Sequence, residues 1–182
     1  MANNQIQTYA GLVNFQVASE AYLYNALTSA AVRDSLVIGN QNNTKEPNII
    51  AELFLTGNPT GGARYKLIAH QDLTLNANHT IAGAIEKSGL SASVFLDTVT
   101  GQYTLSIRST EFADSIKDLG DTRADGLEIA NDGWAFGQIN SLETFWASLR
   151  NGSAVNGVNA VTIPSRADLN AFLAATNAGT KV

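Results

Sequence analysis

A mixed α/β fold is predicted by three observations. First, the runs Ser93–Val99 and Gln102–Arg108 are rich in β-branched and aromatic residues and flank Thr100-Gly101, a pattern typical of a β-hairpin. Second, segments with helical spacing of apolar residues lie on both sides of this hairpin. Third, no internal repeat or linker divides the 182 residues, so residues 1–182 are expected to form a single domain.

The region before the hairpin is predicted to contain a helix, a short apolar element, a turn and a strand. Helical spacing predicts one helix over Val17–Val32, with Ser19 near its start as a cap. The short run 49–55 fits a helix or a strand equally well, because periodicity does not separate the two over so few residues. Its successor, 57–64, has the composition of a turn, and Tyr65–His70 is predicted to be a strand.

The other predicted elements are helical. The stretches 80–87 and Glu111–Leu119 show short runs of helical spacing. Trp134–Leu149 is strongly amphipathic and is predicted to be a helix. A last helix is predicted over Ser165–Thr176, because Ser-x-x-Asp at 165–168 is similar to a capping box in which Asp replaces the usual Glu or Gln.

Composition excludes several classes of protein. The chain is 45% hydrophobic, which is typical of a globular protein, and 15% charged, which is below the usual ~25%; this profile excludes a disordered polyelectrolyte. A net charge of −5 argues against nucleic-acid binding, and no apolar run is long enough for a transmembrane helix. The absence of cysteine excludes disulfides, thiolate metal sites and cysteine nucleophiles. The acidic, Asn/Thr/Gly-rich composition favours a secreted or cell-surface protein without a cleavable N-terminal signal peptide.

Residues with catalytic potential do not form a complete constellation. The sequence from Gly89 to Ser93 is close to a G-x-S-x-G nucleophile elbow, but a strand follows Ser91 where a helix is needed, so we interpret Ser91 as strand-entry structure. The acidic residues of 121–132 partly resemble a calcium loop, yet a solvated acidic surface is the better interpretation, and no metal site is predicted. The only histidines are His70 and His79, and no sequence pattern pairs either with a serine.

One stretch resembles a known family. Gly89–Phe95, the hairpin turn and Tyr103–Phe112 are similar to the N-terminal half of bacterial lipases of the α/β-hydrolase fold, especially large exported lipases with C-terminal calcium-binding repeats and, more distantly, class 3 lipases. In these lipases a strand ends in Arg-Gly-Thr or Arg-Gly-Ser and a short acidic helix follows. Here Arg108-Ser109-Thr110 and Asp114–Leu119 occupy that place. The resemblance implies an incomplete α/β-hydrolase-like sheet with a β-hairpin and flanking helices.

The resemblance also implies a role for one residue. Thr110 corresponds to the residue whose backbone N–H, often with its hydroxyl, binds the oxyanion during acyl transfer. Ser109 stands where the family has glycine, and the chain ends before the expected nucleophile elbow. The implied function is the N-terminal segment of a lipase or esterase that hydrolyses carboxylic esters of a lipid substrate, inactive by itself. No cofactor is predicted for this chain, and calcium is compatible only with the parent protein.

Two other functions stay open, and one prediction concerns assembly. Ser109 and the missing triad favour a non-catalytic α/β-hydrolase-like binding or surface module. The acidity and the Asn/Thr content favour an exported calcium-binding or adhesin-like module. Because an incomplete sheet has an exposed edge, we also expect a homo-oligomer that forms through that open edge.

Overall fold

The computed structural model describes residues 2–21, 23, 26–38, 47–73, 90–108, 136–151 and 161–177, and structural statements below refer to them. This part of the chain contains four α-helices, one 3₁₀ helix and a three-stranded antiparallel sheet, which confirms the mixed α/β class. The elements are α1 (Ala2–Ser19), α2 (Ser29–Ile38), the 3₁₀ helix (Pro47–Phe54), β1 (Tyr65–Asp72), β2 (Ser91–Asp97), β3 (Gln102–Ile107), α3 (Phe136–Arg150) and α4 (Arg166–Asn177).

The predicted hairpin is confirmed. Strands β2 and β3 pair antiparallel, from Asp97 opposite Gln102 to Ala92 opposite Ile107. Strand β2 ends at Asp97, two residues before the predicted end, because the Asp97 carboxylate accepts a hydrogen bond from the backbone N–H of Val99 (2.9 Å) and so starts the turn. Gly101 closes the turn at φ +72°, a left-handed conformation that glycine adopts without steric cost.

Strand β1 adds the third strand of the sheet. The predicted strand Tyr65–His70 is confirmed and extends to Asp72, and the strand order is β1-β2-β3. The pairing with β2 contains a bulge, since Leu67 lies opposite Phe95 and Ala69 lies opposite Val94. The turn predicted over 57–64 is confirmed as well, with three glycines at positive φ: Gly57, Gly61 and Gly62.

The single helix predicted over Val17–Val32 is wrong. Helix α1 ends at Ser19, whose hydroxyl donates to the carbonyl of Gln16 (2.7 Å), so Ser19 closes a helix and does not cap the start of one. Helix α2 then begins at Ser29, where Thr28 Oγ1 accepts the backbone N–H of Ala31 (3.1 Å). The apolar spacing resembles that of one continuous helix because the segment between the two helices is also buried, at Ala21, Leu23 and Ala26.

Helices cover both faces of the sheet. Helices α1, α2 and the 3₁₀ helix bury one cluster on the first face, which we call the α1 face. The run 49–55, whose sequence fits a helix or a strand, belongs mainly to the 3₁₀ helix. Helices α3 and α4 bury a second cluster on the opposite face. The central members of the first cluster are Phe15, Phe54, Tyr65 and Phe95, and those of the second are Ile68, Val94, Phe145, Leu169 and Phe172.

The two C-terminal helices agree with the predictions. The helix predicted over Trp134–Leu149 is observed over Phe136–Arg150, and the last helix is observed over Arg166–Asn177. Ser165 Oγ accepts the backbone N–H of Asp168 (3.2 Å), as in a capping box. The Asp168 carboxylate instead binds Lys66 Nζ at 3.1 and 3.2 Å, which ties α4 to β1. The helical stretches predicted at 80–87 and 111–119 lie outside the described residues.

The described sheet is open at both sides. At the outer side of β1, one pair of residues, His70 and Thr162, exchanges two backbone hydrogen bonds. At the outer side of β3, Gln16 Nε2 donates to the carbonyl of Ile107 (3.2 Å). None of the described helices is both long and apolar enough to cross a lipid bilayer.

Candidate functional site

The bulge in β1 brings polar side chains together on the α1 face. Tyr65 and Leu67 lie on this face before the bulge. Regular alternation would turn His70 and Asp72 to the opposite face, but the extra residue Ile68 reverses the alternation. His70 therefore lies opposite Ser93, and Asp72 lies opposite Ser91. We call His70, Asp72, Ser91, Ser93 and Arg108 the polar cluster.

His70 occupies the centre of the polar cluster. Its side chain is completely buried, and its Nδ1 lies 2.9 Å from Ser93 Oγ. Its Nε2 has no hydrogen-bond partner within the described part of the chain. Burial lowers the pKa of His70 from 6.5 to about 4. The carboxylate of Asp72 opposes this shift, the guanidinium of Arg108 adds to it, and a backbone hydrogen bond to Ala92 opposes it. The imidazole is therefore neutral at neutral pH.

Asp72 and Arg108 form a bidentate ion pair at the end of the sheet. Arg108 Nη1 lies 3.0 Å from Asp72 Oδ2, and Nη2 lies 3.4 Å from Oδ1. Each side chain is only 1% exposed. The backbone N–H of Arg108 also donates to the carbonyl of Ser91 (2.9 Å), so the pair connects the ends of β1 and β3 across β2. Good geometry of this kind offsets the cost of removing both charges from water.

Two further serines extend the polar character of this face. Ser91 Oγ is buried, and it has no hydrogen-bond partner among the described residues. Ser106 Oγ donates to Gln16 Oε1 at 3.0 Å, which connects β3 to helix α1. The polar end of the sheet is thus held to α1 by hydrogen bonds, where the apolar end is held by ring packing.

The polar cluster contains the residue types of an acyl-transfer triad in a different arrangement. In such a triad the serine contacts Nε2 of the histidine and the carboxylate contacts Nδ1. Here Ser93 contacts Nδ1, and the carboxylate of Asp72 binds Arg108. Ser93 and His70 are both 0% exposed, so a substrate carbonyl has no path to this hydroxyl. The observed geometry suits anchoring of three strand ends better than nucleophilic attack.

The structure locates some of the residues singled out in the sequence. Arg108, the first residue of Arg108-Ser109-Thr110, lies in the polar cluster, whereas Ser109 and Thr110 lie outside the described residues. His79 and the acidic segment 121–132 lie outside them as well. Ser91 is the first residue of β2, in agreement with its interpretation as strand-entry structure.

The contact between His70 and Ser93 was missed in the sequence. No sequence pattern pairs His70 with a serine, yet the structure places Ser93 Oγ 2.9 Å from its Nδ1. One signal was present: Ser91 and Ser93 alternate with Ala92 and Val94, which predicts one polar face for β2. The face of His70 could not be read in this way, because it depends on the bulge.

A cavity lies at the opposite end of β1 from the polar cluster. The cavity, of about 230 Å³, opens between the first residues of α2, the first residues of α4 and the start of β1. The ion pair between Lys66 and Asp168 lies at its wall, over an apolar floor that includes Val32 and Phe54. Within the described ranges, no three His, Asp or Glu residues come together as a metal site would require.

Comparison of the chain with models of protein families, with curated proteins and with solved structures found no match.

Proposed function

We propose that the chain is the N-terminal segment of a lipase or esterase of the α/β-hydrolase fold. The observation that carries this proposal is the anchored end of β3. This strand ends next to Arg108, the first residue of the Arg108-Ser109-Thr110 motif, and Arg108 is buried in its ion pair with Asp72. The substrate class is a carboxylic ester of a lipid.

In such an enzyme, the anchored arginine would restrain the segment that forms the oxyanion hole. An oxyanion hole lowers a reaction barrier only if its donors are held in place before the reaction starts. Thr110 follows Arg108 by two residues, so the ion pair would limit the movement of the segment that carries it. In the proposed role, Thr110 donates its backbone N–H, together with its hydroxyl, to the oxyanion.

The coarse architecture is compatible with this proposal. Helices cover both faces of the described sheet, and a β-hairpin leads to the proposed oxyanion segment. The remaining strands, the nucleophile and the base of a hydrolase would be supplied by the rest of a longer protein. Export and self-association through the open sides of the sheet remain part of the proposal.

The first test is the coding sequence downstream of Val182. The proposal expects a strand followed by a Gly-x-Ser-x-Gly elbow within roughly 20 residues. In the longer protein, hydrolysis of a p-nitrophenyl ester is then measured for the wild type, Thr110→Ala and the control Thr100→Ala. Thr110→Ala keeps the backbone N–H and removes the hydroxyl, and loss of this one oxyanion donor is expected to lower kcat by about 100-fold. Thr100 lies exposed in the hairpin turn, and its variant is expected to keep the wild-type kcat.

Two results would contradict the proposal. One is a downstream sequence that contains no serine elbow. The other is a longer protein in which Thr110→Ala and Thr100→Ala have the same kcat as the wild type. Circular dichroism of each variant separates a loss of catalysis from a loss of folding.

A non-catalytic binding or surface module is the second candidate. It is favoured by the burial of His70 and Ser93, which gives a neutral imidazole and a hydroxyl that no substrate reaches, and by Ser109 in place of the glycine of the lipases. This candidate expects no ester hydrolysis from the longer protein even when an intact elbow is present.

A further inference from the structure

Residues 161–163, which we call the C-terminal arm, are paired with the sheet through His70. Helix α4, which follows the arm, is held separately by the ion pair of Asp168 with Lys66 and by its buried side chains. The backbone N–H of His70 donates to the carbonyl of Thr162 (2.9 Å), and the backbone N–H of Thr162 donates to the carbonyl of His70 (2.7 Å). Among the described residues, these are the main-chain hydrogen bonds that join the arm to β1. The backbone of one residue therefore determines whether the arm is paired with the sheet.

The side chain of the same residue is held in a site that suits only a neutral imidazole. His70 is 0% exposed, Nδ1 contacts Ser93 Oγ, and Nε2 has no acceptor in the described structure. Protonation would place a charge in this site, and the backbone hydrogen bond to Ala92 does not offset the cost of burying that charge. The imidazolium would have to move toward water, and a move of this strand residue changes its backbone.

The charges around His70 do not compensate for protonation. The groups that face it are the carboxylate of Asp72 on β1 and the guanidinium of Arg108 after β3, and these two charges are already paired with each other. Strand β2 contributes hydroxyls, and helix α1 contributes the amide of Gln16 to this face. Residues 161–163 (Val-Thr-Ile) contain no titratable side chain.

We propose that His70 is an acid-sensitive latch that holds the C-terminal arm against the sheet when neutral and releases it when protonated. Release breaks both hydrogen bonds to Thr162 and frees the outer edge of β1. This inference does not depend on the proposed hydrolase function, because it concerns only the described fold.

The pH dependence of the opening equilibrium follows from the difference between the pKa values of His70 in the closed and open states. A pKa near 4 in the closed state and 6.5 in the open state makes the opening equilibrium about 30-fold larger at pH 5 than at pH 7.5. The backbone amides of His70 and Thr162 report on this opening directly, because each donates to the other residue.

The test is hydrogen exchange by NMR on the 182-residue chain between pH 7.5 and pH 5, corrected for the intrinsic pH dependence of exchange. Three proteins are compared: the wild type, His70→Gln and His79→Gln. His79 is the other histidine of the chain and serves as the matched control. We expect protection of Thr162 to fall about 30-fold in the wild type and in His79→Gln, and to change little in His70→Gln.

Amides in the hairpin distinguish a latch from general unfolding. The latch expects Phe95 and Thr104, which lie opposite each other at a hydrogen-bonded position of the β2–β3 ladder, to stay protected at pH 5. An equal loss at these amides and at Thr162 would overturn it, and so would an unchanged acid response in His70→Gln. If His70→Gln does not fold, the ring signals of wild-type His70 are titrated instead. Their midpoint must then coincide with the loss of protection at Thr162, and a ring that titrates without any change at Thr162 would also overturn the latch.

Discussion

The α1 face of the sheet has two halves that are stabilised by different physical means. In the half before the bulge, Phe15 packs against Tyr65 and Phe95 with ring centroids 4.7 and 5.1 Å apart. In the half after the bulge, the buried contacts are the ion pair of Asp72 with Arg108 and the contact of His70 with Ser93. One face thus changes from ring packing to specific polar pairing within a few residues.

This difference determines how the stability of each half responds to amino-acid substitution. Apolar packing is non-directional, so its free energy depends mainly on the volume and area buried. A buried polar group depends on one particular partner, because loss of that partner leaves a desolvated group unsatisfied. Substitution therefore has graded effects in the apolar half, whereas in the polar half its effect depends on which partner remains.

The largest effect is expected from Phe95→Ala. Phe95 is 0% exposed and touches the rings of Phe15 and Phe54, so truncation leaves a cavity in the centre of the apolar half. The free energy of unfolding is expected to fall by about 4 kcal/mol. Urea denaturation measures it, with Phe95→Leu as a control that keeps most of the volume and is expected to lose much less. Equal losses in the two variants would contradict the cavity argument.

The next effect is expected from Arg108→Ala. This variant removes the guanidinium that pairs with the buried carboxylate of Asp72, and the expected loss of stability is about 3 kcal/mol. Arg64→Ala is the matched control, because Arg64 lies 3.5 Å from Asp97 and its side chain is 29% exposed. The side chain of Asp97 is only 4% exposed but keeps its hydrogen bond from the backbone N–H of Val99, so about 1 kcal/mol or less is expected. Urea denaturation at pH 7.5 compares the two, and an equal loss would show that burial does not distinguish the pairs.

A smaller loss of stability is expected when the pH is lowered from 7.5 to 5. Because the folded-state pKa of His70 is lowered from 6.5 to about 4, its contribution to stability is complete above pH 6.5 and is lost as the pH falls through that window. Between pH 7.5 and pH 5, the wild type should lose about 2 kcal/mol more than His70→Gln does. Urea denaturation of both proteins at each pH isolates the contribution of His70 to the free energy of unfolding, because all other ionisable groups are the same in the two proteins. The same loss in His70→Gln would assign the pH dependence to other groups.

The smallest effect is expected from Ser93→Ala, two residues from Phe95 on the same face of β2. Loss of its hydroxyl removes the partner of His70 Nδ1 and is expected to cost about 1 kcal/mol. Ser106→Ala, whose partner Gln16 is exposed, should cost only a few tenths of that amount, since water can replace the lost contact. Thermal denaturation resolves the two. A larger loss for Ser106→Ala would reverse the expected order.

Much of the fold could be predicted because local signals agreed with the tertiary environment. The hairpin around Thr100-Gly101 combines β-branched strands with a glycine at positive φ, and the capped start of α4 depends on Ser165 and Asp168 alone. The helix predicted over 17–32 failed for the opposite reason. Burial of a non-helical connection after Ser19 produced apolar spacing that sequence periodicity does not distinguish from a helix face.

The polar cluster could not be predicted, because its members come together by long-range pairing. Arg108 and Asp72 are 36 residues apart, and His70 and Ser93 are 23 apart, so no local motif contains both partners. The bulge at Ile68 adds a second obstacle, since strict alternation assigns His70 to the wrong face. Thr110 lies outside the described residues, and its proposed role stays a prediction.

The extra residue in β1 also has a consequence for reading related sequences. Deletion of Ile68 would hardly change the apolar character of this strand, so a hydropathy profile would register almost nothing. The same deletion would leave the imidazole and the carboxylate on the α1 face, because Leu67 and Ala69 already lie opposite the adjacent residues Phe95 and Val94. In an alignment of relatives, a one-residue gap at this point would therefore preserve the polar cluster, whereas a one-residue gap between His70 and Asp72 would turn the carboxylate to the opposite face.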